Sequence, residues 1–300
     1  MQRRGFIKAV SLGTGGVVLS GSTAWRVLAG DAPADLVMVK NSAPAAMVRK
    51  AVELMGGIGR FVQKDQTVVI KPNMSWDRAP EYAANTHPEV AAEMVRLCLE
   101  AGAKKVLAMD RTCNEARRCY INSGVEKAMS DAGADVRFIR DRLFESVTIE
   151  NGFTLKEWTF YRDPLEADVF INLPVLKSHG LSKITVGLKN QMGLIGKNRG
   201  LIHHSFPEKL ADINRVLRPH LTLVDATRVL MRNGPSGGSL DDVQPMNTVL
   251  AGIDPVLVDA WAAKVFGLEP ASLNWLKRAN EAGLGTMDTA AHQPVEYSFM

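Results

Sequence analysis

The sequence predicts an α/β fold: a mainly parallel sheet with helices on both faces and one small antiparallel insertion. Three observations carry this. Short strand-like runs alternate with longer helical ones, the βαβα rhythm of a parallel sheet covered on both sides. Thr67–Ile70 is apolar without interruption, as a strand buried on both faces must be. Phe144–Tyr161 breaks the rhythm, placing Val147, Ile149, Phe153 and Trp158 in a pattern that suits a small antiparallel unit.

Each element has its own signal. Leu36–Lys40 reads as the first strand. Pro44–Met55 reads as a helix, with Met47, Val48, Ala51, Val52 and Met55 on one side. Thr67–Ile70 runs into Lys71-Pro72-Asn73. A helix starts at Thr86-His87-Pro88-Glu89, where Thr86 suits the cap and Pro88 the first turn, and it stops at Ala101-Gly102. Val106–Met109 is a strand ending at Asp110, Val125–Asp131 a helix, and Val136–Ile139 a strand. Asp168–Leu173 resumes the parallel pattern. Phe206–Leu217 is helical, Leu221–Val224 is a strand ending at Asp225, and 233–238 is a turn or loop. Thr248–Ile253 is expected as the last strand, feeding a helix at Asp254–Phe266. Residues 270–283 are helical, and the tail beyond them shows no pattern.

Three hundred residues with 46% apolar and 23% charged side chains suit one large domain or two modest ones. The net charge of +4 is local: Arg3, Arg4, Lys8 and Arg26 lie in residues 1–29, which contain no acid, so the rest of the chain is neutral. Generic nucleic-acid binding, which needs an excess of phosphate-neutralising charge, is not expected. Gln-Arg-Arg-Gly-Phe-Ile-Lys (2–8) resembles a twin-arginine translocation signal. The stretch from Ala9 to Trp25 is too diluted by Gly and Ser for a good membrane span. Cleavage is expected after Val27-Leu28-Ala29 or at Ala32-Pro33-Ala34; an uncleaved signal would leave a membrane tether. Residues 1–29 are therefore read as a signal peptide and 30–300 as a single α/β domain. The expected location is the periplasm or its equivalent, and the translocase is a transient partner. That route carries folded proteins, which favours a ligand acquired before export.

Three cysteines make no disulfide framework. Cys98 reads as core. Cys113 and Cys119 would lie about 9 Å apart along one continuous helix, too far to bridge; a broken helix would permit a bridge.

Residues 171–204 hold the densest chemistry. Lys177, Lys183, Lys189, Lys197 and Arg199 stand with His179, His203 and His204 among five glycines, with no acidic residue. Such charge needs water or an anion, and glycines let backbone approach a ligand closely. In open parallel sheets ligands bind outside the carboxyl ends of strands. There the sequence places Lys71 and Asn73, Asp110, Lys177 and His179, Asp225 and Asp254. Asp110, Asp225 and Asp254 also read as caps of turns and helices, the plainer reading for each alone. His179 beside Lys177 suits a general acid or base, its pKa lowered by neighbouring cations. His203, His204 and His87 are candidate metal ligands, although adjacent histidines point in different directions. No Walker loop, dinucleotide fingerprint or nucleophile elbow is present.

Five ordered motifs carry a resemblance: Val-Val-Ile-Lys-Pro-Asn (68–73), Asn-Leu-Pro-Val-Leu-Lys-Ser-His (172–179), Gly-Leu-Lys-Asn-Gln-Met-Gly (187–193), Asn-Gly-Pro (233–235) and Asp-Pro-Val-Leu-Val-Asp-Ala (254–260). Over roughly residues 36–270 they resemble the bacterial and archaeal family known as domain of unknown function 362. Many relatives carry an added ferredoxin-type module with four-cysteine runs. This chain lacks those cysteines, so no intrinsic iron–sulfur cluster is expected. A more distant similarity is to the nickel-pincer lactate racemase family, in which a lysine anchors a pyridinium-derived cofactor and a later histidine completes the nickel site. The matching positions are Lys189 and His203 or His204; the Gly-Gly-x-Lys and Pro-Gly patterns of that family are absent here.

The expected function is an exported cofactor- or metal-dependent enzyme, redox or isomerase-like, acting on a small anionic ligand at a strand-end site. His179, His203 and Lys177 are the catalytic candidates. Lys71, Asn73, Lys189, Asn190, Asp110, Asp225 and Asp254 are the candidates for holding ligand or cofactor, itself a metal ion or an anionic organic molecule. The alternative is a non-catalytic metal- or anion-binding protein, or an accessory partner of a redox complex.

Overall fold

The computed structural model describes residues 32–300; the export signal expected in residues 1–29 lies outside the described residues. The strands are β1 (Leu36–Lys40), β2 (Thr67–Pro72), β3 (Lys105–Ala108), β4 (Asp135–Val136), β5 (Phe144–Thr148), β6 (Glu157–Tyr161), β7 (Val169–Leu173), β8 (Val175–His179), β9 (Lys183–Thr185), β10 (Leu221–Leu230), β11 (Val243–Gly252) and β12 (Val295–Ser298). The helices are α1 (Pro44–Leu54), α2 (Pro88–Glu100), α3 (Ala116–Asn122), α4 (Val125–Asp131), α5 (Arg162–Glu166), α6 (Gly187–Asn190), α7 (Phe206–Val216), α8 (Pro255–Phe266) and α9 (Asn274–Glu281).

The main sheet runs β12-β1-β11-β10-β7-β2-β3-β4, with β8 and β9 extending from β10. It is mixed and mostly parallel: β10, β7, β2, β3 and β4 all run the same way. Alternate residues of each strand feed two separate cores. Val68, Ile70, Val106, Ala108, Val169 and Ile171 pack with α1 to α4, whereas Val69, Leu107 and Phe170 pack with α7 to α9 and the β5–β6 hairpin. That two-sided burial explains the unbroken apolar runs in the sequence.

Three expectations change. The strand at Thr248–Ile253 is longer than expected and reverses direction, because β10 and β11 form an antiparallel hairpin about the 233–238 turn. The last strand is instead β12, lying parallel to β1 at the sheet edge. Thr86 does not cap α2. Its hydroxyl donates to the Leu173 carbonyl at 2.8 Å and accepts from Asn73 N, while His87 Nδ1 takes the capping bond from Glu89 N at 3.1 Å. Pro174 shapes the path of the chain into the site. Having no N–H, proline interrupts the ladder between β7 and β8. Its carbonyl still accepts Asp225 N at 2.8 Å, and the chain continues along β10 as β8, past the end of β2. This bend brings Lys177 over the carboxyl ends of the parallel strands.

The reversal of β11 also fixes Asp254. Gly252 lies opposite Thr222, near the start of β10, so Asp254 sits at the amino-end edge of the parallel strands. There its carboxylate accepts Val256 N at 2.9 Å and Leu257 N at 3.0 Å through Oδ1, and Thr286 N at 2.8 Å through Oδ2. It caps α8 and ties it to the following loop. Asp254→Ala is expected to lower stability by about 1–2 kcal/mol, the cost of losing a helix cap, read as a shift in the urea midpoint with unchanged slope.

Candidate functional site

The floor of the site is a buried polar network gathered from four segments. β2 ends in Lys71, whose Nζ donates to the Pro72 carbonyl at 2.7 Å and to Asn190 Oδ1 at 3.2 Å, and pairs with Asp110 Oδ1 at 2.9 Å. Both partners of this ion pair have zero solvent exposure. Asp110 follows β3, and its other oxygen accepts Met74 N and Ser75 Oγ, both at 2.8 Å. Asn190, at the end of α6, accepts from Asn73 Nδ2 at 2.9 Å and donates to Asn172 Oδ1 at 2.9 Å and to the Lys71 carbonyl at 3.1 Å. Burial lowers the pKa of Lys71, against the opposing pull of Asp110. Gly193 has to be glycine: a Cβ there would stand 2.0 Å from Asp110 Oδ1 and 2.6 Å from Lys71 Cε.

Above this floor lies a pocket of about 170 Å³. Lys177, Lys189, Arg199, His179 and His203 all line it, and among the described residues no Asp or Glu does. Lys177 Nζ, on a residue only 1% exposed, donates to Asn73 Oδ1 at 3.2 Å and to the Ala84 carbonyl. Lys189 Nζ has no hydrogen-bond or salt-bridge partner among the described residues. Arg199 spends its N–H groups on the carbonyls of Arg111 and Thr112 and approaches Cys113 Sγ at 3.1 Å, so no carboxylate neutralises it there. Burial together with the charge of Lys189 brings Lys177 down to about 7. Burial likewise brings Lys189 down to about 8.

His179 accepts the Leu181 amide at Nδ1, 3.1 Å away, so its proton sits on Nε2. Burial, then the charges of Lys189 and Lys177, push it down to about 3, and it is neutral at physiological pH. Its ring lies nearly parallel to that of His203, with centroids 6.5 Å apart. Thr185 also lines the pocket; it is buried, and its hydroxyl has no partner among the described residues. Under a pocket of fixed cations, such an orphaned hydroxyl is a ready ligand contact.

The structure thus brings together Lys71, Asn73, Asp110, Lys177, His179, Lys189, Asn190 and His203. It does not bring in four other carboxylate or histidine groups. Asp225, wholly buried, accepts His87 N at 2.7 Å, Thr227 N at 3.0 Å and Arg228 Nη1 at 2.7 Å, an internal brace. Asp254 lies at the opposite edge. His204 is exposed beside His203, and His87 is occupied in capping α2.

The expected metal set of His203, His204 and His87 is accordingly corrected. No group of three or more His, Cys, Asp or Glu among the described residues could hold a metal ion. Of the three histidines, only His203 stands in the pocket. Cys113 and Cys119 are both free thiols; Cys119 is buried, whereas Cys113 is exposed at the pocket. Sequence reasoning missed Cys113, Arg199, Trp76 and Thr185 as lining residues. Only Arg199 had a readable signal, its place in the basic, glycine-rich stretch.

Removing one member of a buried ion pair leaves an uncompensated charge. Asp110→Ala is expected to cost about 3–5 kcal/mol in urea unfolding. Adding Lys71→Met should recover a large part of that loss, because the orphaned ammonium is then gone. Equal losses in the single and double variants would show that the pair is not what the floor depends on.

The family model described as Domain of unknown function (DUF362) matches residues 68–264. A thylakoid-associated protein of Synechocystis sp. is 29% identical over 254 residues, covering 82% of this chain and 76% of that protein. Two solved structures are similar at lower levels. The lactate racemase apoprotein from Thermoanaerobacterium thermosaccharolyticum has a TM-score of 0.46 and 12% identity, over 72% of this chain and 54% of its own. A protein from Thermotoga maritima has a TM-score of 0.44 and 11% identity, over 79% of this chain and 58% of its own. The chain thus spans little more than half the length of either solved structure.

Proposed function

We propose that this chain, which belongs to the family described as Domain of unknown function (DUF362), binds a small organic anion in the strand-end pocket and moves a proton on it. One observation carries the reading: Lys177, Lys189 and Arg199 converge on a pocket lined by no carboxylate among the described residues. Gathering unneutralised cations costs free energy unless an anion offsets them. Lys189 is the free positive end for that anion. Lys177, near neutrality, and His179, with Nε2–H, are the proton-handling groups. This chemistry suits an isomerase-like or redox enzyme; a protein that only holds its anion would show the same binding without turnover.

Binding should depend on pH in a definite sense. The anion favours protonated lysines, and the free pocket loses those protons at about 7 for Lys177 and about 8 for Lys189. Affinity for propionate, measured by titration calorimetry, should be highest below about 7. It should fall as pH rises through about 8, and inorganic phosphate compared with propionate at one pH separates phosphate from carboxylate preference. Lys189→Ala should weaken binding about tenfold or more, a loss of roughly 1.5–3 kcal/mol for a charged hydrogen bond, without shifting the unfolding midpoint. Unchanged affinity in that variant would remove the basis of the reading.

Export belongs to the same proposal and rests on the Arg3-Arg4 motif. A reporter fused behind residues 1–34 should be translocated, and Arg3→Lys with Arg4→Lys should retain it in the cytoplasm. Translocation that persists in that variant, or in a host lacking the twin-arginine translocase, would refute the route.

A further inference from the structure

The three lysines of the site differ in how many partners their nitrogens have. Lys71 Nζ has three: the Pro72 carbonyl, Asn190 Oδ1 and Asp110 Oδ1. One of those three contacts is the Asp110 carboxylate, so Lys71 is held as a cation. Lys189 Nζ has none among the described residues and is free to meet a ligand. Lys177 Nζ has two, Asn73 Oδ1 and the Ala84 carbonyl. Both are neutral acceptors, so no carboxylate holds Lys177 in its charged form, and the third position on that nitrogen has no protein partner among the described residues. The Trp76 ring lies 5.8 Å from Nζ, near the outer limit of cation–π reach, and gives the charged form little support.

We propose that Lys177 is an imine-forming amine, and that its substrates are small 2-oxo acids whose carboxylate is held by Lys189. The proposal rests on the anion-site reading above and names the substrate class. Lys189 and Lys177 line the same small pocket, and a 2-oxo acid carries a carboxylate for the first and a carbonyl for the second on adjacent carbons. The nitrogen lone pair adds to the keto carbon, forming the C–N bond as the C=O π pair moves to oxygen. Both amine protons then pass to that oxygen, which leaves as water while nitrogen forms the C=N bond. No oxidant, reductant or further reactant is needed. His179, with its proton on Nε2, lines the same pocket and can hydrogen-bond the departing oxygen. Burial that lowers the proton affinity of the amine is a known way to activate such a lysine. The imine withdraws electrons from the neighbouring carbon, and that gives the proton-moving chemistry a carbon acid to act on.

The test is reductive trapping on the purified full chain with glyoxylate, pyruvate or 2-oxobutyrate and cyanoborohydride, followed by intact-mass and peptide mapping. The expected result is one reduced carboxyalkyl adduct, on Lys177, with at least one of the three acids. It should be absent in Lys177→Arg and form about tenfold more slowly in Lys189→Ala, as a loss of roughly 1.4 kcal/mol in carboxylate binding requires. Should Lys177→Arg fail to fold, the adduct position in the unaltered protein decides alone. Calorimetry with the same acids and with propionate separates the two readings. If the acids bind but no adduct forms on Lys177, or adducts scatter over exposed lysines such as Lys64 and Lys127, imine formation is overturned and the anion site stands. If neither the 2-oxo acids, propionate nor inorganic phosphate binds, the anion site falls and the imine with it.

Discussion

The pairing of Lys71 with Asp110 is the constraint on which the site is built. Two charges at zero exposure are expensive to bury, and hydrogen bonds from the groups around them are needed to offset that cost. The chain meets that demand by bringing Asn73, Asn172 and Asn190 from three separate segments into one network. The network in turn fixes α6 against the ends of β2 and β7. Asp259, buried in α8, accepts Gly187 N at 2.8 Å and Leu188 N at 2.9 Å and holds α6 from the other side. Burial pushes this carboxyl up to about 7, while the two amide donors pull the other way. Lys189 therefore projects from a short helix clamped at both ends, which accounts for a free cation being held at a fixed place.

Much of the framework was legible because it follows from local chemistry. Continuous apolar runs marked β1, β2, β3 and β7, and the proline and glycine punctuation marked α2 and α4 within a residue or two. Strand direction was not legible for β11, since a strand's sequence reports its burial and not its partner. Only the pairing of Thr222 with Gly252 shows that Asp254 leaves the sheet at the wrong edge to join the site. β12 escaped notice because its residues are mostly exposed and lack an apolar pattern.

The site divides in the same way. Lys71, Asn73, Lys177 and His179 stood out because each ends an apolar run, and a strand end delivers its last side chains to one rim. Asp225 ends such a run as well, yet it turns inward, where Arg228 and the His87 amide satisfy it. The sequence shows the carboxylate and its position but not its partners. Two of the three histidines assigned to a metal failed for related reasons: a capping bond claims His87, and the backbone direction at adjacent residues sends His204 to solvent. Cys113 carried no signal at all, since it reaches the pocket through the irregular loop between β3 and α3.

Pro174 links the framework to the chemistry. β2 ends at Pro72, opposite Leu173, so past Pro174 no strand lies on that side. The chain keeps to β10 alone as β8, free of β2. Lys177 is thereby buried without being paired to Asp110, which Lys71 already occupies. The same fold thus holds one lysine with its counterion and another, linked to it through Asn73 and Asn190, with only neutral acceptors. Burial has opposite consequences for the two: it locks the first as a structural cation and leaves the second close to giving up its proton at neutral pH. A reactive amine in this pocket requires no unusual residue, only a buried lysine for which the fold supplies two hydrogen-bond acceptors and no carboxylate.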